Sequence, residues 1–290
     1  MRLTDINEIR ALLARHGFRF SKSLGQNFLT AEWVPRDIAD AAGLDAGVGV
    51  LEIGPGIGCL TAELSQRAGR VVAVELDNAL RPILAETLAD CANVSVVYGD
   101  IMRLDLAGLV EEGIAPLRPV VCANLPYNIT SPVLTRLIES GLFDTITVMI
   151  QREVARRICA APNTADYGAF GIFVQWHMDA QLLFDVSPGC FVPQPKVTSS
   201  VIRLTRRAAP PAQAADEALM FTLVRAAFNQ RRKTLVNALA PALKLDKAAI
   251  EGAVEACGLD ARVRGEALSI ADFARLSNKF VELLTVHGDN

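Results

Sequence analysis

The chain has 290 residues, 51% hydrophobic and 21% charged, with a formal net charge of -3 and a sequence pI of about 5.7. That length allows one large domain and one small one, each with a core, and the acidic balance argues against a protein basic enough to bind nucleic acid over its whole surface. Asp5 and Glu8 interrupt any apolar leader and no apolar run approaches a membrane span, so a soluble, cytoplasmic protein with no membrane contact is expected.

In chain order, Gly25 to Leu29 reads as an N-terminal loop with a buried Phe28. Val48 to Ile53 is an apolar, strand-like run that leads into Gly54-Pro55-Gly56-Ile57-Gly58. Leu60 to Arg67 has helical spacing, and Val71 to Val74 forms a second strand ending in Glu75, about 20 residues past the loop, where an acid can grip a ribose hydroxyl. Together these pieces make a βαβ unit suited to an adenosine. Cys59 stands where a dinucleotide fingerprint needs its third glycine, and Pro55 removes an N–H that could cradle a pyrophosphate, which argues against NAD. The glycines still admit a compact adenosyl ligand without phosphates, and S-adenosylmethionine is the candidate.

Val94 to Tyr98 is the next strand and ends at Gly99-Asp100, an acid able to accept a hydrogen bond from an adenine amino group. Pro119 to Ala123 then runs into Asn124-Leu125-Pro126-Tyr127. In a parallel sheet the carboxyl ends of strands open onto the ligand crevice. There Asn124 offers a carbonyl acceptor, Pro126 extends Leu125 so that its carbonyl is aimed, and Tyr127 supplies a stacking face. Two acceptors and a platform suit transfer of a group to an exocyclic amine of a base. Each residue also has a plainer reading: Glu75 as an exposed strand end, Asp77 as a helix cap, Asp100 as a turn residue, Tyr127 as half-buried core.

Thr147 to Ile150 is the fifth strand and Ser200 to Leu204 the last. Between them Phe191, flanked by Gly189-Cys190 and Pro193-Gln194-Pro195, reads as an aromatic on an irregular loop and therefore as a binding residue, with capping of a core edge as its alternative. Ala208 to Gln213 is a proline-bearing linker, beyond which Glu217 to Ala240, Lys247 to Cys257 and Ile270 to Thr285 show helical spacing only. The expected organisation is an α/β, Rossmann-like domain over residues 1–207 and a smaller all-helical domain over 208–290. Cys59, Cys91, Cys122, Cys159, Cys190 and Cys257 have no C-x-x-C spacing, so they read as buried thiols, with no metal site and no disulfide framework.

Basic residues are confined to patches. Arg10, Arg15, Arg19 and Lys22 lie in the N-terminal arm, Arg152, Arg156 and Arg157 follow the fifth strand, and Arg225, Arg231, Arg232 and Lys233 read as lying on one C-terminal helix. Solvated helix faces would explain each patch. The functional reading is local phosphate contact with a structured RNA recognised by shape.

Seven pieces, in this order and spacing, carry a resemblance over nearly the whole chain: Gly25-Gln26-Asn27-Phe28-Leu29; Glu52-Ile53-Gly54-Pro55-Gly56 with Gly58; Glu75-Leu76-Asp77; Gly99-Asp100; Asn124-Leu125-Pro126-Tyr127-Asn128-Ile129; Phe191 to Val197; and Phe228 to Lys233. They resemble the KsgA (RsmA) family of small-subunit ribosomal RNA adenine N6,N6-dimethyltransferases. The resemblance implies an S-adenosylmethionine-dependent methyltransferase domain followed by a helical RNA-recognition domain. It implies dimethylation of N6 of two adjacent adenosines in a hairpin loop near the 3′ end of 16S rRNA, within an assembling 30S subunit and by a monomer. Carried over by residue, it puts Asn27 and Leu29 against the donor, Gly54 and Gly56 under it, Glu75 on its ribose and Asp100 on its adenine. Asn124, with Leu125, stands between donor and target, and Tyr127 and Phe191 hold the target base. Two alternatives remain: the related Erm family, which acts on large-subunit RNA and which the acidic pI and extended helical part count against, and a non-catalytic nucleic-acid-binding factor of the same fold, against which Asn124, Tyr127, Glu75 and Asp100 argue.

Overall fold

A computed structural model describes residues 1–21 and 24–288 of the chain. Its strands are β1 (Phe28–Leu29), β2 (Val48–Ile53), β3 (Arg70–Glu75), β4 (Val94–Tyr98), β5 (Arg118–Asn124), β6 (Thr145–Gln151), β7 (Met178–Val186), β8 (Phe191–Val192) and β9 (Ser199–Arg206). Seven of them form one sheet in the order β4-β3-β2-β5-β6-β9-β7, and the short β1 and β8 pair separately. β2 runs parallel to both β3 and β5, β3 to β4 and β5 to β6, whereas β9 is antiparallel to β6.

The sequence of β2 shows why it sits at the centre. All six residues are buried, as expected of a parallel strand covered on both faces, where a continuous aliphatic run replaces alternation. On one face Val48 and Val50 pack with Val71, Val120 and Cys122 against Val34 and Ile38 of the helix Trp33–Ala41 and Leu60 and Leu64 of the helix Cys59–Ser65. The chain travels outward through β3 and β4, then returns to lay β5 on the other side of β2. That reversal opens a crevice beyond the carboxyl ends of β2 and β5.

Two compact units result: Met1–Ala155 with Asp179–Arg206, and Arg156–Met178 with the chain from Arg207 onward. The helical unit thus includes an excursion from the middle of the chain. Its core gathers Tyr167 and Trp176 with Leu223, Val224, Leu239, Phe273 and Phe280, and the Tyr167 hydroxyl donates to the Leu268 carbonyl at 3.0 Å. The expected single helix over Glu217 to Ala240 is two, Glu217–Asn229 and Leu235–Leu243, joined by a turn in which Lys233 N donates to Gln230 O at 2.8 Å. β7, which the sequence reading does not contain, is an edge strand whose half-exposed residues follow no clean alternation.

Gly171 tests the packing of the excursion, since a Cβ there would lie 2.3 Å from the Arg157 carbonyl oxygen, a backbone atom that cannot swing aside. Helix propensity alone makes Gly→Ala stabilising by about 0.8–1.0 kcal/mol. Overpacking reverses the sign: Gly171→Ala is expected to destabilise by roughly 1–3 kcal/mol. Urea denaturation measures it, and a more stable variant would refute the close approach.

Candidate active site

One crevice on the first unit collects the strand ends, and its wall includes Asn27, Leu29, Glu52, Gly54, Gly56, Glu75, Asp100, Asn124, Leu125, Tyr127 and Phe191. The loop after β2 turns under it through positive φ at Gly54 (69°), Gly56 (59°) and Gly58 (91°), conformations open to glycine and costly for other residues. Gly54 N donates to Val74 O at 2.9 Å, fastening the loop to β3.

Glu75, at the end of β3, is buried at 6% exposure rather than an exposed strand end. Burial raises its pKa, while the Asp77 N–H, 2.7 Å from Oε1, and the Gly56 N–H oppose that shift by donating to the carboxylate. Asp77 in turn caps the short turn Asn78–Leu80 through Ala79 N at 2.9 Å and accepts from Gln26 Nε2 at 2.7 Å. Gln26 Oε1 also accepts from Ser21 N at 2.9 Å, so this side chain ties the N-terminal arm to the loop that carries Glu75. Asp100 takes the turn geometry its position allows, accepting from Met102 N at 2.9 Å and lying 3.5 Å from Arg103 Nε.

The Asn-Leu-Pro-Tyr segment closes the other side. Asn124 is the last residue of β5, and Leu125, only 1% exposed, donates its N–H to Met149 O at 3.1 Å. The Tyr127 ring is half-buried with its hydroxyl 2.6 Å from Ser199 Oγ on β9, which fixes its plane, and burial raises its pKa. Asn27 turns its side-chain amide onto Gly25 O at 2.9 Å.

Phe191 departs from its expected setting. It opens β8, pairs Leu29↔Phe191 in the antiparallel β1–β8 ribbon and is 5% exposed, packed with Leu29 and Val186. The signal missed was Phe28-Leu29, an apolar pair able to make a regular partner for it from far up the chain.

The basic patches are less uniform than their spacing suggested. Arg225 is exposed on Glu217–Asn229, but that helix ends before Arg231, so Arg231, Arg232 and Lys233 lie in the turn beyond it. Arg231 donates to Ala165 O at 3.2 Å, pairs with Glu266 at 3.2 Å and lies over the Phe228 ring, whereas Arg232 and Lys233 are exposed. Arg15 is paired with Glu86 and Arg152 with Asp185. Lys22 falls outside the described residues. Of the cysteines, Cys59, Cys122 and Cys257 are buried, but Cys91, Cys159 and Cys190 are only half-buried. No helix among the described residues is long and apolar enough to cross a membrane.

Glu52 is the residue that strand-level reading passed over. It is 1% exposed in the middle of the sheet, its Oε2 buried without a hydrogen-bond partner. Burial pushes its pKa up to about 8, with the Thr61 hydroxyl opposing and the Glu75 charge adding to the rise. Its signal was visible in Val48 to Ile53: one acid in a run where every other side chain is aliphatic or absent.

A seven-stranded sheet with glycine loop, acids at successive strand ends and a polar-proline-aromatic corner defines a Rossmann-like methyltransferase. Among solved structures, the 23S rRNA methyltransferase ErmE is 27% identical with a TM-score of 0.67, covering 87% of this chain and 98% of its own. A dimethyladenosine transferase from Plasmodium falciparum has the same fold, with a TM-score of 0.75 at 24% identity over 88% of this chain and 97% of its own. The family model described as ribosomal RNA adenine dimethylase matches residues 17–282. A protein of Geobacillus thermodenitrificans named ribosomal RNA small subunit methyltransferase A is 46% identical over 282 residues, 96% of each chain. Its namesake in Streptococcus gordonii is 47% identical over 283 residues, 96% of this chain and 98% of that protein. The chain belongs to the ribosomal RNA adenine dimethylase family and is an enzyme acting on ribosomal RNA.

The buried acid has a measurable consequence. A carboxyl whose folded pKa is raised from 4.5 to about 8 favours the folded state most below its unfolded pKa, and that contribution is lost as pH rises through the folded value. Ligand-free protein is therefore expected to lose on the order of 2 kcal/mol of stability between about pH 5.5 and pH 7.5 relative to Glu52→Gln, which has no proton to lose there. Urea denaturation of both proteins at the two pH values gives the difference, and parallel pH profiles would show that Glu52 is ionised in the folded state throughout.

Proposed function

We propose that this chain transfers methyl groups from S-adenosylmethionine to N6 of two adjacent adenosines in a hairpin near the 3′ end of small-subunit 16S rRNA. It acts as a cytoplasmic monomer on the assembling 30S particle. The observation that carries the reading is the meeting of Asn124, Leu125 and Tyr127 with the glycine loop, Glu75 and Asp100 on one crevice wall. The 46% identity to a small-subunit methyltransferase supports this target over the large-subunit one of the 27% identical ErmE.

The crevice fits this donor on its own chemistry. Three acids, Glu52, Glu75 and Asp100, line it, and among the described residues no Lys, Arg or His does. Such a lining repels phosphates and suits a nucleoside that carries positive charge. Asn27, Leu29, Gly54 and Gly56 would hold the amino-acid end and flank of the donor, Glu75 would accept from the ribose hydroxyls, and Asp100 from the adenine amino group. The donor supplies a methyl group on a cationic sulfur.

The remaining work falls to Asn124 and its neighbours. The lone pair of an adenine N6 is delocalised into its ring, so it attacks poorly. Hydrogen bonds from N6–H to the Asn124 side-chain oxygen and the Leu125 carbonyl favour the pyramidal nitrogen that presents a localised lone pair, and they strengthen as N6 gains positive charge. Tyr127, its plane fixed through Ser199, and Phe191 hold the extruded base. Positioning supplies the rest of the acceleration. On the helical domain, residues 208–290 with Arg225, Arg231, Arg232 and Lys233, charge governs docking on the particle, with Arg231 also held by its own unit.

Mass spectrometry of RNA after incubation with undermethylated 30S particles, naked RNA or 50S subunits should show N6,N6-dimethyladenosine in the first; product in 50S alone overturns the reading. Asn124→Ala should cut single-turnover methylation on saturated particles by on the order of 10²–10³ with particle binding unchanged. Near wild-type turnover would exclude the role given to Asn124.

Replacing Arg225, Arg232 and Lys233 together by alanine should separate docking from chemistry. Particle affinity should fall and its salt dependence flatten by up to about 0.9 log unit for each phosphate that the protein ceases to neutralise, with donor affinity unchanged. An unaltered salt slope in filter-binding assays would remove these residues from the RNA interface.

A further inference from the structure

Arg136 stands on the helix Thr130–Glu139, which starts directly after the Asn-Leu-Pro-Tyr corner. That helix is fixed at its start by the Thr130 hydroxyl, which donates to Pro126 O at 3.2 Å, and along its length by the buried Val133, Leu134, Leu137 and Ile138. From it the guanidinium reaches the turn beyond β4, where Nη1 donates to the Met102 carbonyl and Nη2 to the Leu104 carbonyl. The same turn carries Asp100, whose carbonyl accepts from Arg103 N at 2.8 Å and Leu104 N at 3.0 Å. An arginine kept for charge pairing alone would turn to Asp105 or Glu139, which line the same groove. Among the described residues no ion pair holds it, and its Nε is buried without a partner. Its planar fork is given instead to two carbonyl oxygens that converge on it. With no donor between them, those oxygens would face each other unsatisfied and with like partial charge, which favours an opened turn.

We propose that Arg136 is a positioning residue for the adenine of the methyl donor. It holds the turn from Asp100 to Leu104 on the helix of the Asn-Leu-Pro-Tyr corner, and so sets the Asp100 side chain where the exocyclic amine of the adenine donates. The assignment rests on Asp100 meeting that amine in S-adenosylmethionine. The side-chain partners of Asp100, Met102 N and Arg103, belong to its own turn, so they shape the turn without anchoring it. Arg136 supplies an anchor from another element, the one that begins where the target base is held. Glu75 and the glycine loop are held differently, by Asp77 N and by Val74 O of β3. Loss of the guanidinium therefore falls on the adenine and spares the ribose and amino-acid ends.

S-inosylhomocysteine keeps the ribose and amino-acid end of S-adenosylhomocysteine but presents a ring carbonyl in place of the amine. Calorimetric titration of wild type and Arg136→Met with both ligands reads the preference for the base. Wild type should favour the adenine ligand. Arg136→Met should bind that ligand roughly tenfold more weakly, the size of one lost hydrogen bond to a charged acceptor, and the inosine ligand within about twofold of wild type. In an Asp100→Ala background the same substitution should change the affinity for S-adenosylhomocysteine by no more than about twofold, because the group it acts through is gone. An unchanged affinity of Arg136→Met for S-adenosylhomocysteine, an equal loss for both ligands, or additive effects with Asp100→Ala overturns the assignment while leaving Asp100 on the adenine. Wild type with no preference between the ligands, or no affinity for either, removes the adenine reading of Asp100 and the assignment with it. If Arg136→Met shows no cooperative unfolding in urea, Arg136→Lys, which keeps the charge and lacks the fork, takes its place. Selective loss of the adenine ligand then upholds the assignment, and an equal or absent loss overturns it.

Discussion

The parallel pairing of β2 with β5, from Val48 opposite Arg118 to Leu51 opposite Val121, is the constraint on which the site depends. Both strands end at the same edge of the sheet, so the glycine loop and the Asn-Leu-Pro-Tyr segment rise side by side. A Cβ on Gly54 would lie 3.8 Å from Pro126 Cδ, which measures how closely the two loops approach. Methyl donor and target nitrogen have to meet within a few ångströms in line, and a shift of that pairing by one residue would send every inward side chain of β5 to the opposite face.

The N-terminal arm depends on the same edge. Phe28 packs over the glycine loop, where a Cβ on Gly56 would come within 3.2 Å of its ring, and the arm is pinned by the β1–β8 ribbon and by Gln26 bridging to Asp77. Asn27 and Leu29 thus reach the crevice from a segment with almost no secondary structure of its own. Asp77 donates its N–H to Glu75, so one chain of hydrogen bonds runs from the arm to the acid at the end of β3.

Electrostatics gives the crevice its selectivity. Carboxyl groups at the ends of neighbouring strands, with no basic side chain of the described residues among them, are mutually unfavourable when ionised, and burial at Glu52 and Glu75 raises both pKa values. Positive charge on a ligand would relieve that repulsion. Arg225, Arg232 and Lys233 of the helical unit are exposed to solvent.

Residue order alone determined the βαβ unit, the strand ends and the helical C-terminal run, because aliphatic runs, glycine turns and helical spacing are local consequences of backbone geometry and burial. Asn124, Glu75 and Asp100 were legible for the same reason: each immediately follows or ends such a run. Phe191 was not, since its regular partner Phe28-Leu29 lies far off in sequence and only the folded chain brings the two strands together. Nor was the break after Asn229, where continued apolar spacing hides a turn that takes Arg231 to Glu266 and Ala165. Glu52 shows the division most clearly. The sequence records an acid among aliphatics, but whether it is solvated, paired or orphaned is set by Thr61, Cys59, Cys122 and Glu75, which arrive from three other elements, and burial is a property of that assembly and not of any residue in it.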